Sequence, residues 1–396
     1  MKIVFHRYGS ICEPDLIDAF TRCGLSVIED DTEIYQKSIT AEERIRLLGE
    51  QILIHKPAFV FTINFFPYIS EICERLHTLY VALSVDCPVL ELFSVSIRNK
   101  YNRIFLFDYM QYQKFHPENP DCIFYLPLAV NTNRWDTVLK ELTPADYEKY
   151  TCDVSFVGSL YTEKSPLDKL TLDEFNQGYI DGLTAAQLNV SGYNFLEDAI
   201  APSFIEMLRQ SDPAFYCPAD SFTDTGSYVA AHYYLGMHVS ALDRILTLQE
   251  LGSRQATDVY TRSDTSVFNA LSLLRFRGGV STHTEMPKVF HCSRINLNIT
   301  MKSIQTGLSQ RIWDVLGCRG FLLTNYQSEI PEYFEIGTDL ECYENTAELL
   351  EKVQFYLAHD DIRQTIAENG YQKVKAQHTY IHRVLQILKT VFPQLT

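Results

Sequence analysis

The chain has 396 residues and a formal net charge of −16. That length predicts two domains, and the excess of acidic residues disfavours binding to nucleic acid or anionic lipid, because phosphate contacts need Lys and Arg. Hydrophobic residues make up 46% of the chain and charged residues 21%, which excludes a disordered protein, and no stretch reaches the roughly 18 apolar residues of a membrane span.

The amino-terminal part of the chain alternates apolar and amphipathic segments. Its opening run, MKIVFHRYGS, predicts a strand rather than a signal peptide. The segments predict strands at 2–5, 26–29, 58–63, 80–85, 103–107 and 122–126, and helices at 15–23, 41–55 and 68–78. This order predicts a mostly parallel sheet with helices on both faces. Residues 142–150 are polar, contain Pro144 and have no period, which predicts a linker.

The same pattern then starts again. Strands are predicted at 153–157, 256–261, 267–273, 294–299, 320–324 and 340–343, and helices at 287–291, 310–316, 346–359, 361–376 and 381–392. Residues 160–254 have helical periodicity and few β-branched runs, which predicts a helical insertion whose role in acceptor recognition or oligomerisation stays open. Thr379 is the predicted N-cap of the last helix.

These elements predict an α/β fold of two Rossmann-like domains that face each other across a cleft. We predict a first domain at 1–145, a second at 151–378 that carries the insertion, and a last helix at 379–396 that packs back toward the first. Ligands of open parallel sheets bind at the carboxyl ends of the strands. The side chains that follow the strands are therefore the candidates for function.

The most informative segment runs from Ser293 to Phe334. A strand leads through a polar loop, 300–307, into a helix that starts at about Leu308 and is capped by Ser309 or Thr306. The N–H groups and dipole of such a helix start favour an anion, and a diphosphate fits there. Arg311 lies in the first turn, where a cation opposes the dipole, and a bidentate contact with a diphosphate would explain it.

Asp314 lies one turn beyond Arg311 on the same helical face. Its carboxylate can accept two hydrogen bonds from the vicinal hydroxyls of a ribose. The alternative is that Arg311 and Asp314 form an i,i+3 surface ion pair, which is worth only a few tenths of a kcal/mol. Asn325 and Tyr326 follow the next predicted strand and face the cleft.

Several segments, taken in order, resemble the spore maturation protein CgeB-like group of glycosyltransferases with the GT-B fold. The matching segments are DVSFVGS at 153–159, INLNIT at 295–300, RIWD at 311–314, GFLLT at 320–324 and HTY at 378–380, with weaker matches in the first domain such as VDCP at 85–88. The resemblance implies a bacterial GT-B enzyme that holds its sugar donor mainly in the second domain and its acceptor mainly in the first.

The resemblance and the segment together give one set of donor-binding residues. They are Gly158, Ser159, Asn298, Thr300, Lys302, Arg311, Asp314, Thr324, Asn325 and Tyr326. Lys302 either assists Arg311 or is solvated. The loop after Gly158 contains Lys164 but no Arg, which leaves retention or inversion of configuration open.

Two residues of the first domain are catalytic candidates. His6 could act as a general base on an acceptor hydroxyl, because imidazole titrates near neutral pH; otherwise it is a strand-end histidine held by a backbone carbonyl. Asp86 could deprotonate or bind the acceptor, or it could simply form a turn.

We therefore predict a transferase that moves a hexosyl or N-acetylhexosaminyl group from a nucleoside diphosphate sugar to an acceptor hydroxyl, and the resemblance implies that it needs no metal. The ten cysteines are scattered with no CxxC pair, which indicates reduced thiols in the cytoplasm and no zinc site. No cofactor is expected. The acceptor, a glycan, a protein or a small metabolite, is not identified, and an oligomer is allowed. The alternatives are a sugar-nucleotide epimerase and a non-catalytic sugar-nucleotide-binding or assembly protein.

Overall fold

Alternating strands and helices build two parallel sheets. A computed structural model describes residues 1–36, 38–268 and 273–395. The first unit consists of Met1–Val130, Pro218–Asp224 and His378–Thr396, and the second of Asn131–Cys217 and Thr225–Gln377.

Twelve strands occur in the described residues, six in each sheet. They are β1 Lys2–His6, β2 Ser26–Asp30, β3 Phe59–Ile63, β4 Leu79–Leu83, β5 Asn102–Leu106, β6 Ile123–Tyr125, β7 Cys152–Val157, β8 Thr257–Tyr260, β9 Leu274–Phe276, β10 Ser293–Asn298, β11 Leu322–Asn325 and β12 Glu341–Tyr343. The order is β2-β1-β3-β4-β5-β6 in the first unit and β12-β11-β10-β7-β8-β9 in the second.

The helices connect these strands. They are α1 Glu13–Arg22, α2 Thr32–Tyr35, α3 Ala41–His55, α4 Pro67–Arg75, α5 Tyr109–Phe115, α6 Thr132–Lys140, α7 Pro144–Tyr150, α8 Glu174–Leu188, α9 Leu196–Ala199, α10 Pro202–Ser211, α11 Gly226–Tyr228, α12 Gly236–Gly252, α13 Met286–Cys292, α14 Gln310–Gly317, α15 Ile330–Tyr333, α16 Thr346–Ala358, α17 Asp360–Gln377 and α18 Tyr380–Val391. Short 3-10 turns lie at Leu90–Phe93, Val95–Arg98, His116–Glu118, Leu167–Lys169 and Pro393–Leu395, and a π-helix spans Val229–Leu235.

The first sheet is fully parallel and buries aromatic side chains against α1 and α18. Phe5, Phe20 and Phe61 form one cluster, in which the rings of Phe20 and Phe61 are 4.8 Å apart. Each fully buried side chain of this size contributes about 1.5–3 kcal/mol. Burial on the sheet therefore explains why apolar runs without clear periodicity form strands here.

The last helix belongs to the first unit. Thr379 is its N-cap residue, as the sequence predicts. Arg383 is almost fully buried, and its Nε donates to the carbonyl oxygen of Pro127 at 2.7 Å. Val384 and Ile387 pack into the core of the first sheet. The helix therefore completes the first domain from the far end of the chain.

The segment predicted as a linker is instead helical. Thr143 caps α7 in a reciprocal capping box with Asp146, and Asp146 pairs with Lys288 at 2.9 Å. Pro144 is the first residue of the helix, a position where its missing N–H costs nothing. The second unit therefore begins at Asn131 rather than at 151.

The predicted helical insertion contains five α-helices, α8 to α12, and the π-helix. It also contributes one short stretch, Pro218–Asp224, to the first unit. There the backbone N–H of Phe222 donates to the carbonyl of Phe93 at 2.9 Å. The strand predicted at 267–273 falls mostly on residues 269–272, which lie outside the described residues, and the strand found is β9. No described helix is long and apolar enough to cross a membrane.

Candidate functional site

A cavity of about 330 Å³ lies in the second unit at the carboxyl ends of β7 and β8. Polar side chains and glycines contribute much of its wall. The lining residues are Val157, Gly158, Ser159, Glu163, Lys164, Tyr260, Thr261, Arg262, Ser263, Gly279, Val280, Thr282, Met286 and Arg311. The cavity has the position expected for a ligand of a parallel sheet, and it brings the predicted residues Gly158, Ser159 and Arg311 together.

Arg311 reaches this cavity from the first turn of α14. The helix begins at Gln310, and Ser309 is its N-cap residue without a side-chain cap bond. The Arg311 guanidinium contacts the Met286 sulfur and lies 5.3 Å from the centre of the Phe290 ring. The side chain is about one-quarter exposed, at 26%. It therefore presents a fixed positive charge to the cavity.

Asp314 is the ion-pair partner of Arg311. Its Oδ2 lies 3.3 Å from Nη1 of Arg311, and its Oδ1 accepts a hydrogen bond from Nε2 of Gln310 at 3.1 Å. Burial raises the pKa of the Asp314 carboxyl, while the charge of Arg311 opposes that rise. The i,i+3 pair considered from the sequence is present, but Asp314 is only 6% exposed, so it is not a surface pair.

Four other predicted residues form one hydrogen-bonded group at the ends of β10 and β11. Asn298 Nδ2 donates to the hydroxyls of Thr300 and Thr324 at 3.0 and 2.9 Å. Asn325 Oδ1 accepts from the backbone N–H of Thr300 at 2.7 Å. All four are buried, so the group fixes the start of the loop that leads to Arg311.

Lys302 is neither solvated nor directed at Arg311. Its ammonium group pairs with Asp243 at 3.2 Å, and the side chain is 12% exposed. The reason is that the insertion packs over this loop, which the sequence did not show. Tyr326 also contacts the insertion, because a Cβ added to Gly192 would lie 3.0 Å from the Tyr326 ring.

The loop after β7 is held by side-chain hydroxyls. Ser263 Oγ accepts from the backbone N–H of Leu160 at 2.9 Å and lies 3.2 Å from Ser159 Oγ. Tyr161 adopts a left-handed conformation, with φ of 63°, which is uncommon for a residue with a side chain. The Tyr161 hydroxyl donates to the Met301 sulfur at 3.5 Å, and Lys164 lines the cavity.

Sequence reasoning missed Arg244, which comes from α12 in the insertion. It is 8% exposed, and its Nη1 and Nη2 donate to the carbonyls of Ser159 and Ile299 at 2.5 and 2.6 Å. Its charge lies 4.2 Å from the centre of the Tyr161 ring. The available signal was its position one helical turn from Ala241 and Leu248, on the buried face of the helix.

In the first unit, His6 does not fit the role of general base. Its ring is 1% exposed, Nδ1 lies 2.8 Å from Asp30 Oδ2, and Nε2 lies 3.2 Å from the Tyr68 hydroxyl and 3.5 Å from Glu33. Burial alone would lower the pKa of His6, but the hydrogen bonds to Asp30 and Glu33 raise it to about 8. His6 is therefore mostly protonated at neutral pH, and its partners are carboxylates rather than the expected backbone carbonyl.

Asp86 is exposed after the carboxyl end of β4. Its Oδ2 accepts a hydrogen bond from Asn64 Nδ2 at 2.7 Å, and the same amide nitrogen donates to the Tyr8 hydroxyl at 3.0 Å. Burial and the charge of Asp86 raise the pKa of Tyr8. Asp86 is thus a positioned carboxylate that a solute can reach. Among the described residues, no group of His, Cys, Asp and Glu side chains could hold a metal ion.

Residues 247–389 match the family model described as glycosyl transferase-like. This segment is less than half of the chain, and it contains both Arg311 and Asp314. No curated protein matches the chain in sequence.

Solved structures match the chain over nearly its whole length. A glycosyltransferase from Rickettsia africae has a TM-score of 0.52 at 11% identity, with 99% of this chain and 98% of that chain covered. Anabaena HepE in complex with UDP-glucose has a TM-score of 0.53 at 10% identity, with 99% and 100% covered. Sucrose-phosphate synthase from Thermosynechococcus elongatus has a TM-score of 0.52 at 11% identity, with 100% of both chains covered.

The chain has the GT-B fold. The two six-stranded parallel sheets and the helices around them are those of this α/β architecture, as the sequence predicts. At such low identity the likeness concerns the fold alone, and one fold supports many reactions. The chemistry of a GT-B protein must therefore be argued from the cavity and its residues.

Proposed function

We propose that this protein is a glycosyltransferase that binds a nucleoside diphosphate sugar in the second unit. The observation that carries the proposal is Arg311, held by a buried carboxylate and lining a polar cavity at the carboxyl ends of parallel strands. The match of residues 247–389 to a glycosyl transferase-like family supports it.

As the sugar forms its new bond to the acceptor oxygen, the nucleoside diphosphate leaves with the electron pair of the broken bond, so the reaction requires a group that stabilises negative charge. Cleavage of the bond between the sugar and the diphosphate leaves a nucleoside diphosphate, whose new charge develops on the terminal phosphate oxygens. A fixed guanidinium next to those oxygens stabilises the transition state more than the ground state. Arg311 supplies that charge, and the N–H groups of the first turn of α14 add to it.

Asp314 has a defined part in this proposal. Its two oxygens accept from Arg311 and Gln310 in the structure, so we propose that it positions the guanidinium. Its predicted contact with the ribose hydroxyls is an additional proposal, which requires Gln310 to turn away. Asp86, an exposed carboxylate, is our remaining candidate for contact with the acceptor hydroxyl.

The donor, the transferred group, the subfamily, the metal requirement and the location are also proposals. Anabaena HepE was solved in complex with UDP-glucose, which favours a nucleotide-sugar donor here and a hexosyl or N-acetylhexosaminyl group. Membership of the CgeB-like group, independence from metal ions and a cytoplasmic location are proposed from the sequence. The acceptor is a glycan, a protein or a small metabolite.

The test is donor turnover. Purified protein would be mixed with UDP-, GDP-, dTDP- and CDP-sugars and a panel of acceptors, and release of the nucleoside diphosphate would be measured. We expect one donor to be consumed only when an acceptor is present. The Arg311→Ala variant should lose this activity, and the Arg254→Ala variant, which changes an exposed arginine paired with Glu250, should keep it.

Other results would support the rival functions. Conversion of the donor sugar without an acceptor would indicate an epimerase. A donor that binds but is never consumed, with every acceptor class tested, would indicate a sugar-nucleotide-binding protein. Absence of binding by all four donor classes would contradict the proposal itself.

A further inference from the structure

The helical insertion contributes a buried positive charge with no acidic partner. Arg244 lies on α12 and is 8% exposed. In the described part of the chain its polar contacts are two backbone carbonyls, and no carboxylate pairs with it. An unpaired buried charge is costly, and a bound anion would balance the charge of Arg244.

Arg244 also has hydrogen-bonding capacity left over. A guanidinium carries five N–H donors, and the two carbonyls of Ser159 and Ile299 use one donor on each terminal nitrogen. The Nε atom is buried without a partner. Because nearly all buried donors in folded proteins are satisfied, these N–H groups indicate acceptor atoms that a ligand brings.

The position of Arg244 identifies where that ligand binds. Its two carbonyl partners follow β7 and β10, next to the loop that lines the cavity. A Cβ on Gly158 would lie 3.9 Å from Arg244 Nη1. Ser159, whose carbonyl accepts from Arg244, lines the same cavity as Arg311, and the positive charge of Arg244 is among the causes that lower the pKa of Arg311, after burial. The two arginines can therefore act on one multiply charged anion.

The insertion also forms hydrogen bonds with the loop before α14. Asn194 Nδ2 donates to the carbonyl of Lys302 at 2.6 Å, and the backbone N–H of Lys302 donates to Ser240 Oγ at 2.9 Å. Ser303 Oγ donates to the carbonyl of His232 in the π-helix at 3.1 Å. Three separate elements of the insertion thus fix the loop that leads to Arg311.

We infer that the insertion completes the donor site, with Arg244 and Arg311 holding the diphosphate from two sides. The inference rests on the proposed function and adds a second binding residue to it. The loop after Gly158 has no arginine of its own, and α12 brings one to the same strand end. A Cβ on Gly158 would lie 3.3 Å from the Phe156 ring and 3.9 Å from Arg244 Nη1, so any side chain would crowd this strand end.

The test compares ligands that differ only in phosphate. The nucleoside diphosphate that binds the wild type most tightly, among UDP, GDP, dTDP and CDP, would be titrated together with its monophosphate, its nucleoside and inorganic pyrophosphate. In Arg244→Gln we expect diphosphate and pyrophosphate affinity to fall about 10- to 100-fold, while nucleoside affinity stays unchanged. Arg244→Lys should lose less, and Arg254→Gln should match the wild type.

Each outcome has a distinct meaning. If Arg244→Gln is folded and binds the diphosphate as tightly as the wild type, the inference is wrong and Arg244 only links the two strand ends. If wild type binds no diphosphate, the proposed function fails first. If Arg244→Gln does not fold, the arginine side-chain NMR signal of Arg244, assigned with Arg244→Lys, decides the question: it must shift on addition of the diphosphate, and an unchanged signal overturns the inference.

Discussion

The two units share one sheet architecture, but they differ in what accepts hydrogen bonds from the loop after the first strand. In the first unit, the backbone N–H groups of Tyr8, Gly9 and Ser10 all donate to Glu13 Oε1, at 2.8–2.9 Å. Glu13 also pairs with Arg7 at 3.0 Å and is 1% exposed. A carboxylate of the chain itself thus occupies the place where a parallel sheet would hold a phosphate.

The second unit has a cavity at the corresponding place. There the loop after β7 borders the cavity, which Arg311 lines, and Arg244 of α12 donates to the carbonyl of Ser159 at its edge. In our proposal, the same fold therefore provides an anion site in the second unit and closes it in the first. The difference lies in a few side chains near the strand ends rather than in the sheet.

The largest expected effect is a loss of nucleotide affinity on mutation of Arg311 in the second unit, but not of Arg7 in the first. Arg311→Ala should raise the dissociation constant of the nucleoside diphosphate by about 100-fold, because it removes a charge-assisted bidentate contact. Arg7→Ala, which changes an arginine already paired with Glu13 and Glu29, should leave that constant unchanged. Isothermal titration measures both. A similar loss in both variants would show that the two units do not differ as described.

The second effect concerns the closed loop of the first unit. Glu13→Ala should lower the free energy of unfolding by about 2–3 kcal/mol, because it leaves three backbone N–H groups without their acceptor and removes one of the two carboxylates paired with Arg7. Chemical denaturation measures this change. Asp18→Ala, an exposed residue of α1 paired with Arg22, should cost less than about 0.5 kcal/mol. Equal stability of Glu13→Ala and wild type would contradict the role given to Glu13.

A third, smaller effect is the pH dependence that His6 gives to the first unit. The folded state binds the His6 proton more tightly than the unfolded chain, with a pKa of about 8 against 6.5. Its stabilisation, about 2 kcal/mol, is therefore full below pH 6.5 and is lost as the pH rises through about 8. Denaturation curves between these values should show this loss.

Two variants check the source of the pH dependence. His6→Gln should remove it, because no proton is then bound beside Asp30 and Glu33. His77→Gln, which changes an exposed histidine, should retain it. Stability that rises over this pH range in wild type would contradict the assignment.

The smallest expected effect is that of metal removal. We expect donor turnover to be unchanged by EDTA, because Arg244 and Arg311 supply the positive charge that a divalent ion would otherwise bring. Turnover with EDTA, and after addition of Mg²⁺ or Mn²⁺, measures this. A loss restored by either ion would show that the two arginines are not sufficient.

Much of the fold could be predicted because the strands are buried on both faces. Apolar runs such as those of β3 and β4 mark such strands wherever they occur, and the order of strands and helices gave two parallel sheets. The short helices α5, α6 and α7 were missed, although each begins after a residue whose side chain caps it, Asp108, Asn131 and Thr143. Capping residues such as Thr143 and Asp146 define them, and these signals are local and easily overlooked.

The site could be predicted only where its residues are close in sequence. Arg311 and Asp314 are three residues apart, so their pairing follows from helix geometry. Arg244 lies 85 residues from Ser159 and 55 from Ile299, and nothing in the sequence indicates that these residues meet. His6 was misjudged for the same reason, since Asp30 comes from another strand and Tyr68 from a helix on the same unit.

Hydrogen exchange with bound nucleotide tests most directly whether the donor site lies in the second unit. Backbone amides would be followed by mass spectrometry with and without the tightest nucleoside diphosphate. We expect slower exchange in the loop after β7, at 158–164, and at the start of α14, with no change at 8–13, where Glu13 already satisfies the amides. Protection at 8–13 without protection at 158–164 would contradict the assignment.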